Sequence, residues 1–246
     1  MVPVVAVGES EGTWWSAPRV AVTGLLTKAA WAWAGVPSGP LGWVSSHWVM
    51  PRFHARIYPV LARELKLRPQ DDLLEVACGS GVFLADQAPQ VRRAAGLDLS
   101  GIQVDLARRR LADRIDAGTA EIVQGDAAAL PWPDGTFSVV TCMGSFEAFP
   151  EPERVLAELV RVLRPGGRAV LNIGERVPPG TQTHQVLGAM WVWSEDDVRH
   201  MVEQAGLSDV QMSYASSSGD SRLIAMANRI ASTFGAELRL VHCLKA

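Results

Sequence analysis

The sequence lacks the cysteine pattern of a disulfide-stapled or zinc-binding protein. It has three cysteines, Cys78, Cys142 and Cys243, which are far apart and form no CxxC pair. Scattered cysteines in odd number predict neither a disulfide framework nor a metal site, so we expect no metal. Free thiols persist in a reducing compartment, and the simplest expected localisation is therefore the cytoplasm.

Clustered positive charge and long apolar runs are also scarce. The 246 residues carry a net charge of −3, and the longest basic run is the three arginines at 108–110. Because nucleic-acid binding needs a clustered positive face, we expect no nucleic-acid partner. No basic region precedes the first apolar residues, which argues against a signal peptide. Residues 20–36 are short for a membrane span and contain Lys28, which favours a packed amphipathic helix over a membrane anchor.

The composition is that of a folded α/β protein with a distinct N-terminal part. Hydrophobic residues make up 48% and charged residues 20% of the chain, enough for a large buried core. Residues 1–69 hold six of the nine tryptophans. We divide the chain into a Trp-rich helical N-terminal segment (1–69), expected to be a cap or substrate-side element, a core (70–229) and a C-terminal extension (230–246).

From residue 71 onward, short β-like runs alternate with helical runs. Helices are predicted at 81–88, 100–112, 153–163 and 194–205, the second opened by a capping box of Ser100 and Gln103. This alternation predicts a doubly wound, seven-stranded and mostly parallel sheet. The last strand is expected to be antiparallel, because only a short loop precedes it. The predicted strands are 72–78, 94–100, 120–126, 137–143, 168–174, 209–215 and 221–228.

Polar and small residues stand where four of these strands end, which is where doubly wound sheets bind ligands. The first strand ends in Glu75 and the loop "ACGSG" (77–81), in which glycines allow close backbone approach and positive φ. Asp98 ends the second strand, 19 residues after Gly79, a spacing that suits binding of ribose hydroxyls. Asp126 ends the third strand and could accept from an adenine amine.

The sequence of this loop limits the kinds of nucleotide that it can bind. No lysine follows the glycines, so a P-loop is excluded. A dinucleotide fingerprint needs glycine or alanine in the third place, where this chain has Leu84. We expect leucine there to hinder close helix–strand packing and the approach of a pyrophosphate. The sequence therefore predicts an adenosine ligand without a pyrophosphate.

Four motifs, in order, resemble those of class I S-adenosylmethionine-dependent methyltransferases, most closely the type 11 or UbiE-like small-molecule group. They are "LLEVACGSG", "GLDLS", "GDAAALPWPDGTFSVVTC" and "LAELVRVLRPGGRAVL", and the close resemblance spans residues 73–172. The resemblance implies a Rossmann-like methyltransferase fold. It also implies that S-adenosyl-L-methionine is the cofactor and S-adenosyl-L-homocysteine the product.

The resemblance also implies roles for matching positions. Asp98 would bind the ribose, Leu99 would pack on the adenine, and Asp126 with the Ala127 amide would read the adenine edge. Met143 and Gly144 would lie near the methionine part of the cofactor. The full set of expected cofactor residues is Tyr58, Glu75, Ala77, Cys78, Gly79, Ser80, Gly81, Asp98, Leu99, Gln103, Asp126, Ala127, Met143 and Gly144.

Ala77 departs from the family pattern, which has glycine there. Alanine fits this position if its φ is negative. We expect alanine at this position to affect the geometry of the loop more than the binding of the cofactor.

The acceptor side has no fixed motif, because in-line methyl transfer needs alignment and exclusion of water, and needs a base only where the nucleophile carries a proton. Candidate bases are His184, His47, His54 and Glu147. Aromatic residues after the fourth and fifth strands and in the N-terminal segment could wall an apolar pocket. These candidate substrate residues are Phe146, Phe149, Trp191, Trp193 and Trp48.

The leading hypothesis is an enzyme that methylates an O, N or C atom of a small, apolar or aromatic acceptor, as in secondary metabolism. An alternative is a protein of the same fold that binds the cofactor without methyl transfer, as a cyclase, an isomerase or a regulatory module. A third is a membrane-associated enzyme with residues 20–36 at the interface. A homodimer is left open.

Overall fold

The computed structural model describes residues 58–175, 177, 180–186, 190–216 and 237–246. Seven strands form the main sheet, and two short strands form a separate hairpin. The bounds of these strands are β1 Asp72–Val76, β2 Arg93–Asp98, β3 Ala120–Gln124, β4 Phe137–Cys142, β5 Leu163–Glu175, β6 His184–Val186, β7 Met190–Val192, β8 Leu207–Ser216 and β9 Glu237–Lys245.

Six α-helices connect these strands within the described residues. They are α1 Tyr58–Glu64, α2 Val82–Gln87, α3 Gly101–Arg110, α4 Ala112–Asp116, α5 Pro152–Val162 and α6 Glu195–Gln204. Helix α5 shows why such segments are helical. Proline occupies its first turn, where no backbone donor is lost, and its apolar stripe, made of Val155, Leu156, Leu159 and Val162, is buried.

The strand order is β3-β2-β1-β4-β5-β9-β8, and every pairing is parallel except those of β9. This confirms the predicted seven-stranded, mostly parallel doubly wound sheet with an antiparallel last strand. The order reverses between β1 and β4, so the loops that follow these two strands face each other at the carboxyl edge. A ligand crevice forms at such a point.

The identity of the antiparallel strand differs from the prediction. Residues 221–228 lie outside the described part of the chain, and the strand that pairs with β8 is β9. It comes from the segment 230–246 that we assigned to an extension, yet it lies inside the sheet between β5 and β8. Leu240, Val241 and Cys243 are buried there. Two apolar runs follow β8, and the short-loop argument favoured the nearer one.

Much of the N-terminal segment lies outside the described residues. These residues include His47, Trp48, His54 and the apolar stretch 20–36. Helix α1 is the described part of the segment, and its Tyr58 and Leu61 are buried against the sheet. Within the described residues, no helix is long and apolar enough to span a bilayer.

The core is divided between the two faces of the sheet. Leu74, Val140 and Leu171 belong to one apolar cluster, while Leu73 and Val139 belong to the other. Neighbouring residues of a strand point to opposite faces, so nearly continuous apolar strands supply both clusters. Both faces of the sheet are therefore covered by packed apolar side chains.

Lys245, near the end of β9, fixes this strand to the helix packed beside it. Its Nζ donates to the carbonyls of Val160 and Leu163, at 2.7 Å each, where α5 ends. Helix ends leave carbonyls without partners, and a cation suits them. We predict that Lys245→Met lowers the free energy of unfolding by about 1 to 3 kcal/mol, measured by urea denaturation. Lys66→Met, at an exposed lysine, is the control; an equal loss in both variants would contradict this role.

Candidate functional site

The loop after β1, residues 77–81, makes an unusually tight turn at the carboxyl edge; we call it the cofactor loop. Ala77, Gly79 and Gly81 have φ of 55°, 54° and 71°. Its backbone is tied down by Cys78 N–H, which donates to Leu97 O at 3.0 Å, and by Gly81 N–H, which donates to Cys78 O at 2.9 Å. The loop thus has a defined shape, set partly by strand β2.

We expected alanine to fit at position 77 if its φ were negative. The φ of Ala77 is positive instead. A non-glycine residue in the left-handed region costs about 1 to 2 kcal/mol, because its Cβ crowds the carbonyl oxygen. Ala77 is partly buried against the core. The surrounding hydrogen bonds therefore hold an alanine in a conformation that glycine adopts more readily.

The two glycines of the loop serve different purposes. A Cβ added to Gly79 would meet no atom within 4 Å, so this position faces open space beside the sheet edge. A Cβ at Gly81 would lie 2.9 Å from Ala107 Cβ of α3. Gly81 is therefore needed for close packing of the loop on α3, while Gly79 leaves the ligand side open.

Leu84 is fully buried and packs closely, contrary to the hindrance we expected. The reason is Gly96 on β2: a Cβ there would come within 2.9 Å of Leu84 Cδ2, and equally close to Cys78 Sγ. The missing side chain on the strand makes room for the larger one on the helix. Leucine at the third position of the dinucleotide fingerprint is thus accommodated, because the facing residue on β2 is a glycine.

Asp98 connects the cofactor loop to the end of β2. Its Oδ2 accepts the Gly79 N–H at 2.8 Å and its Oδ1 accepts the Ser100 N–H at 2.9 Å. Burial raises the pKa of Asp98, and these backbone donors oppose that rise. A carboxylate has about four acceptor positions, so Asp98 keeps acceptor capacity for a ligand hydroxyl. Leu99 beside it is 54% exposed, an apolar surface at the place expected for adenine.

Glu75 is buried beneath the loop, and its Oε2 has no hydrogen-bond partner. Burial first, and the charge of Asp98 second, raise its pKa well above the usual range. The Tyr58 phenol is affected in turn, because its pKa is raised by burial and then by the charge of Glu75. A buried acid with a vacant acceptor suits a cationic ligand group better than it suits a stable core.

The ends of β3 and β4 complete this edge. Asp126 is exposed, and its Oδ1 accepts the Ala128 N–H at 2.9 Å, while Ala127 is buried. Met143 is buried, and Gly144 has φ 76° with open space where a Cβ would be. The structure thus brings the expected cofactor residues of all four strand ends to one edge.

Three further positions refine the prediction. The capping box is wrong: the Ser100 side chain makes no capping bond, and Asp98 takes the Ser100 N–H instead. Gln103 is buried with an unpartnered Oε1. Arg110 was missed, because a basic run on a helix carries no motif; its guanidinium donates to the Ser80 carbonyl and so supports the buried Ser80 from behind.

Glu147 is a candidate base on the acceptor side and lies within the described residues. It lies three residues after Gly144, and its Oε1 accepts the Gly174 N–H from β5 at 2.9 Å. Burial raises the pKa of Glu147, while the charge of Arg239 opposes that rise. The carboxyl is therefore tied to the end of β5, and the residue is partly buried.

The other candidate substrate residues and bases differ in how deeply they are buried. Trp191 and Trp193 stack with centroids 5.0 Å apart, and Trp191 Nε1 donates to Phe149 O at 3.2 Å. Phe146 and Trp193 are fully buried in the core, whereas Phe149 is only half-buried at its margin. His184 is exposed on the hairpin, with Nδ1 2.8 Å from Gln182 O. His47, His54 and Trp48 lie outside the described residues.

Comparison with known proteins matches the part of the chain that forms β1 to β5. Residues 74–171 match a family model described as a methyltransferase domain. The demethylmenaquinone methyltransferase of Deinococcus radiodurans is 42% identical over 106 residues, which are 40% of this chain and 41% of that protein. The nocamycin O-methyltransferase of Saccharothrix syringae is 36% identical over 140 residues, 54% of this chain and 49% of that protein.

The chain therefore spans about half or less of the length of these relatives. Among solved structures, that of the cyclase SpnF matches with a TM-score of 0.62 and 22% identity, over 77% of this chain and 80% of that one. At this identity the likeness shows the fold alone. S-adenosyl-L-methionine is the cofactor of the matched domain family. The residues present fit it through the vacant Glu75 acceptor, the open space at Gly79 and Gly144, and the exposed Leu99.

We predict that Ala77→Gly stabilises the protein. Glycine adopts φ near 55° without Cβ strain, so the free energy of unfolding should rise by about 1 kcal/mol. The affinity for S-adenosyl-L-homocysteine should change less than threefold, since the loop shape is already formed. Urea denaturation and calorimetric titration measure the two quantities. A large gain in affinity would show that alanine impairs binding.

We also predict that Glu75→Gln separates stability from binding. The folded-state pKa of Glu75 is raised, so its contribution to stability is present below the unfolded pKa of about 4.3 and is lost as pH rises through the folded pKa. The variant should thus gain stability over the wild type as pH increases, while binding the cofactor more weakly. Denaturation at several pH values is the measurement, with the exposed Glu153→Gln as control. A stability difference that stays constant with pH would contradict the prediction.

Proposed function

Because residues 74–171 form a class I S-adenosylmethionine-dependent methyltransferase domain of the UbiE-like type, we propose that this chain transfers the cofactor's methyl group to a small molecule. The acceptor is apolar or aromatic, and the nucleophile is an O, N or C atom. The observation that carries the proposal is the convergence of Glu75, Asp98, Leu99 and Gly144 at one edge of the sheet.

We assign the cofactor-binding roles by chemistry. Asp98 takes the ribose hydroxyls with its remaining acceptor positions, and Leu99 covers one face of the adenine. Asp126 and the Ala127 amide read the adenine edge. The vacant Oε2 of Glu75 suits the amino group of the methionine part, because a buried carboxylate is stabilised by a cation.

The bound cofactor supplies an electrophilic methyl group. The task of the protein is then to align the acceptor in line with that methyl group and to keep water out. Phe149 and Trp191 at the margin of the core suit contacts with an apolar acceptor. The atom that is methylated differs between relatives. We therefore expect the acceptor pocket, and not the cofactor residues, to decide whether it is O, N or C.

Glu147 is our choice for the residue that takes a proton from the acceptor. Of the two candidate bases within the described residues, Glu147 is the one that a backbone donor holds, partly buried, at the carboxyl edge, close to Gly144 in the chain. A carboxyl whose pKa is raised toward neutrality is a better base at neutral pH than an ordinary one. His184 is exposed on the hairpin and is less well placed.

The test is label transfer from methyl-labelled S-adenosyl-L-methionine to a panel of quinol, phenol and enol acceptors. Transfer to at least one acceptor is expected. Binding of the cofactor with no transfer to any acceptor would favour a cofactor-binding protein without methyl transfer.

With an acceptor in hand, Glu147→Gln should lower kcat on the order of 10²-fold, because a positioned base contributes at least that much. The dissociation constant for S-adenosyl-L-homocysteine should stay within twofold. Glu153→Gln, at an exposed glutamate on α5, is the matched control. Full turnover in Glu147→Gln would remove Glu147 from the reaction.

We also propose that the reaction takes place in the cytoplasm. Cys78, Cys142 and Cys243 are buried free thiols, which suits a reducing compartment.

A further inference from the structure

Strand β5 contains a β-bulge where it reaches the carboxyl edge of the sheet. Its register with β4 ends at the pair of Leu171 with Cys142, and just beyond this pair the register with β9 shifts. Residues 172–175 of β5 lie opposite residues 238–240 of β9, so β5 has one extra residue there. Bulges redirect the backbone and are frequent beside active sites. This bulge therefore lies where β4 gives way to the loop that carries Glu147.

Gly174 lies within the bulge and turns a backbone donor toward that loop. Its φ of 68° is in the left-handed region, which glycine adopts without strain. A Cβ at this position would lie 3.7 Å from Trp193 Cδ1, which is an ordinary contact, so conformation and not crowding favours glycine here. The Gly174 N–H donates to Glu147 Oε1 at 2.9 Å. The bulge thus joins the end of β5 to the acid.

The Asn172 side chain bridges the bulge from inside the sheet. It is buried, and its Nδ2 donates to Gly174 O at 3.2 Å and to Arg239 O at 3.0 Å. Both partners are carbonyl oxygens, which only accept, so the amide nitrogen must face them. An apolar side chain in its place would leave both carbonyls without this donor. Gly174 is therefore held through its carbonyl by Asn172 and through its N–H by Glu147.

Glu147 is also fixed from its own side of the contact. It lies in a short 3₁₀ helix, Phe146–Ala148, whose Phe146 side chain is fully buried. Burial raises the pKa of Glu147, and backbone donors, the Gly174 N–H among them, oppose that rise. A donor to a carboxylate favours its charged form. The bulge thus fixes one oxygen of the acid and favours the form that can accept a proton.

We infer that Asn172 is a positioning residue for the acceptor side of the site. It holds the bulge of β5 in shape and so keeps the Gly174 N–H on Glu147 Oε1. The carboxylate is thereby kept in one place at the end of β5. This inference rests on the proposed function, in which Glu147 takes a proton from the acceptor.

The direct test is Asn172→Leu, which keeps the approximate size of the side chain and removes both donors. We expect kcat at pH 7 to fall about tenfold or more, because a small misplacement of a catalytic group is costly. The dissociation constant for S-adenosyl-L-homocysteine should stay within twofold, since Asn172 is not among the expected cofactor residues.

Ser138→Ala is the matched control. Ser138 is also buried and also bridges two backbone segments, but at the amino end of β4. Its Oγ donates to Asp71 Oδ1 at 2.8 Å and accepts the Asp72 N–H at 2.9 Å. This variant should lose thermal stability, while its kcat and its affinity for S-adenosyl-L-homocysteine stay within twofold of the wild type.

A merely structural asparagine predicts another pattern, in which both variants lose thermal stability and neither loses kcat. That pattern would overturn the inference. Equal losses of kcat and of cofactor affinity in Asn172→Leu would also overturn it, because they would indicate a general disturbance of the sheet edge. If Asn172→Leu does not fold, Asn172→Ala removes the same donors, and full turnover in that variant would overturn the inference equally.

A second readout does not depend on turnover. Carboxyl-carbon NMR of glutamate-labelled protein follows the titration of Glu147, with its resonance assigned by its disappearance in Glu147→Gln. The midpoint should rise in Asn172→Leu, because the Gly174 N–H no longer favours the charged form. An unmoved midpoint would contradict the inference. If the wild type transfers no methyl group to any acceptor, the proposed function fails, while this titration still decides whether Asn172 positions Glu147.

Discussion

The hydrogen bond from Gly79 N–H to the Asp98 carboxylate is the contact on which the candidate site depends. It joins the cofactor loop after β1 to the end of β2, over 2.8 Å, beside the β1–β4 point where the strand order reverses. The same carboxylate accepts the Ser100 N–H and so starts α3, whose Ala107 packs against Gly81. One acid therefore fixes the loop, the helix start and the expected ribose position together. These contacts within the chain hold the loop in one shape, which lowers the ordering cost of binding.

Two buried ionisable side chains have a polar atom without a hydrogen-bond partner. Glu75 has a vacant acceptor beneath the cofactor loop, and Arg239 has an unpartnered Nε behind the acceptor side. Neither arrangement favours folding, since a buried polar group without a partner costs free energy. Both lie at the carboxyl edge, whereas Arg168 and Asp71, near the amino ends of the strands, form a close ion pair.

Much of the fold and of the cofactor side could be predicted from the sequence, because glycines and acids at strand ends have few other uses in such numbers. The predictions that failed involve contacts between distant segments. Leu84 fits because Gly96, on another strand, leaves room for it, and β9 pairs with β5 and β8 across a long separation. The φ of Ala77 is imposed by neighbouring hydrogen bonds rather than by its own preference.

The central claim is that this edge binds an adenosine ligand without a pyrophosphate, namely S-adenosyl-L-methionine. Calorimetric titration of the full chain with S-adenosyl-L-homocysteine and, separately, with NAD tests it most directly. The account predicts saturable one-to-one binding of S-adenosyl-L-homocysteine, lost in Asp98→Ala, and no binding of NAD at the same concentrations. Binding of NAD as tight as that of S-adenosyl-L-homocysteine, or unchanged binding in Asp98→Ala, would contradict it.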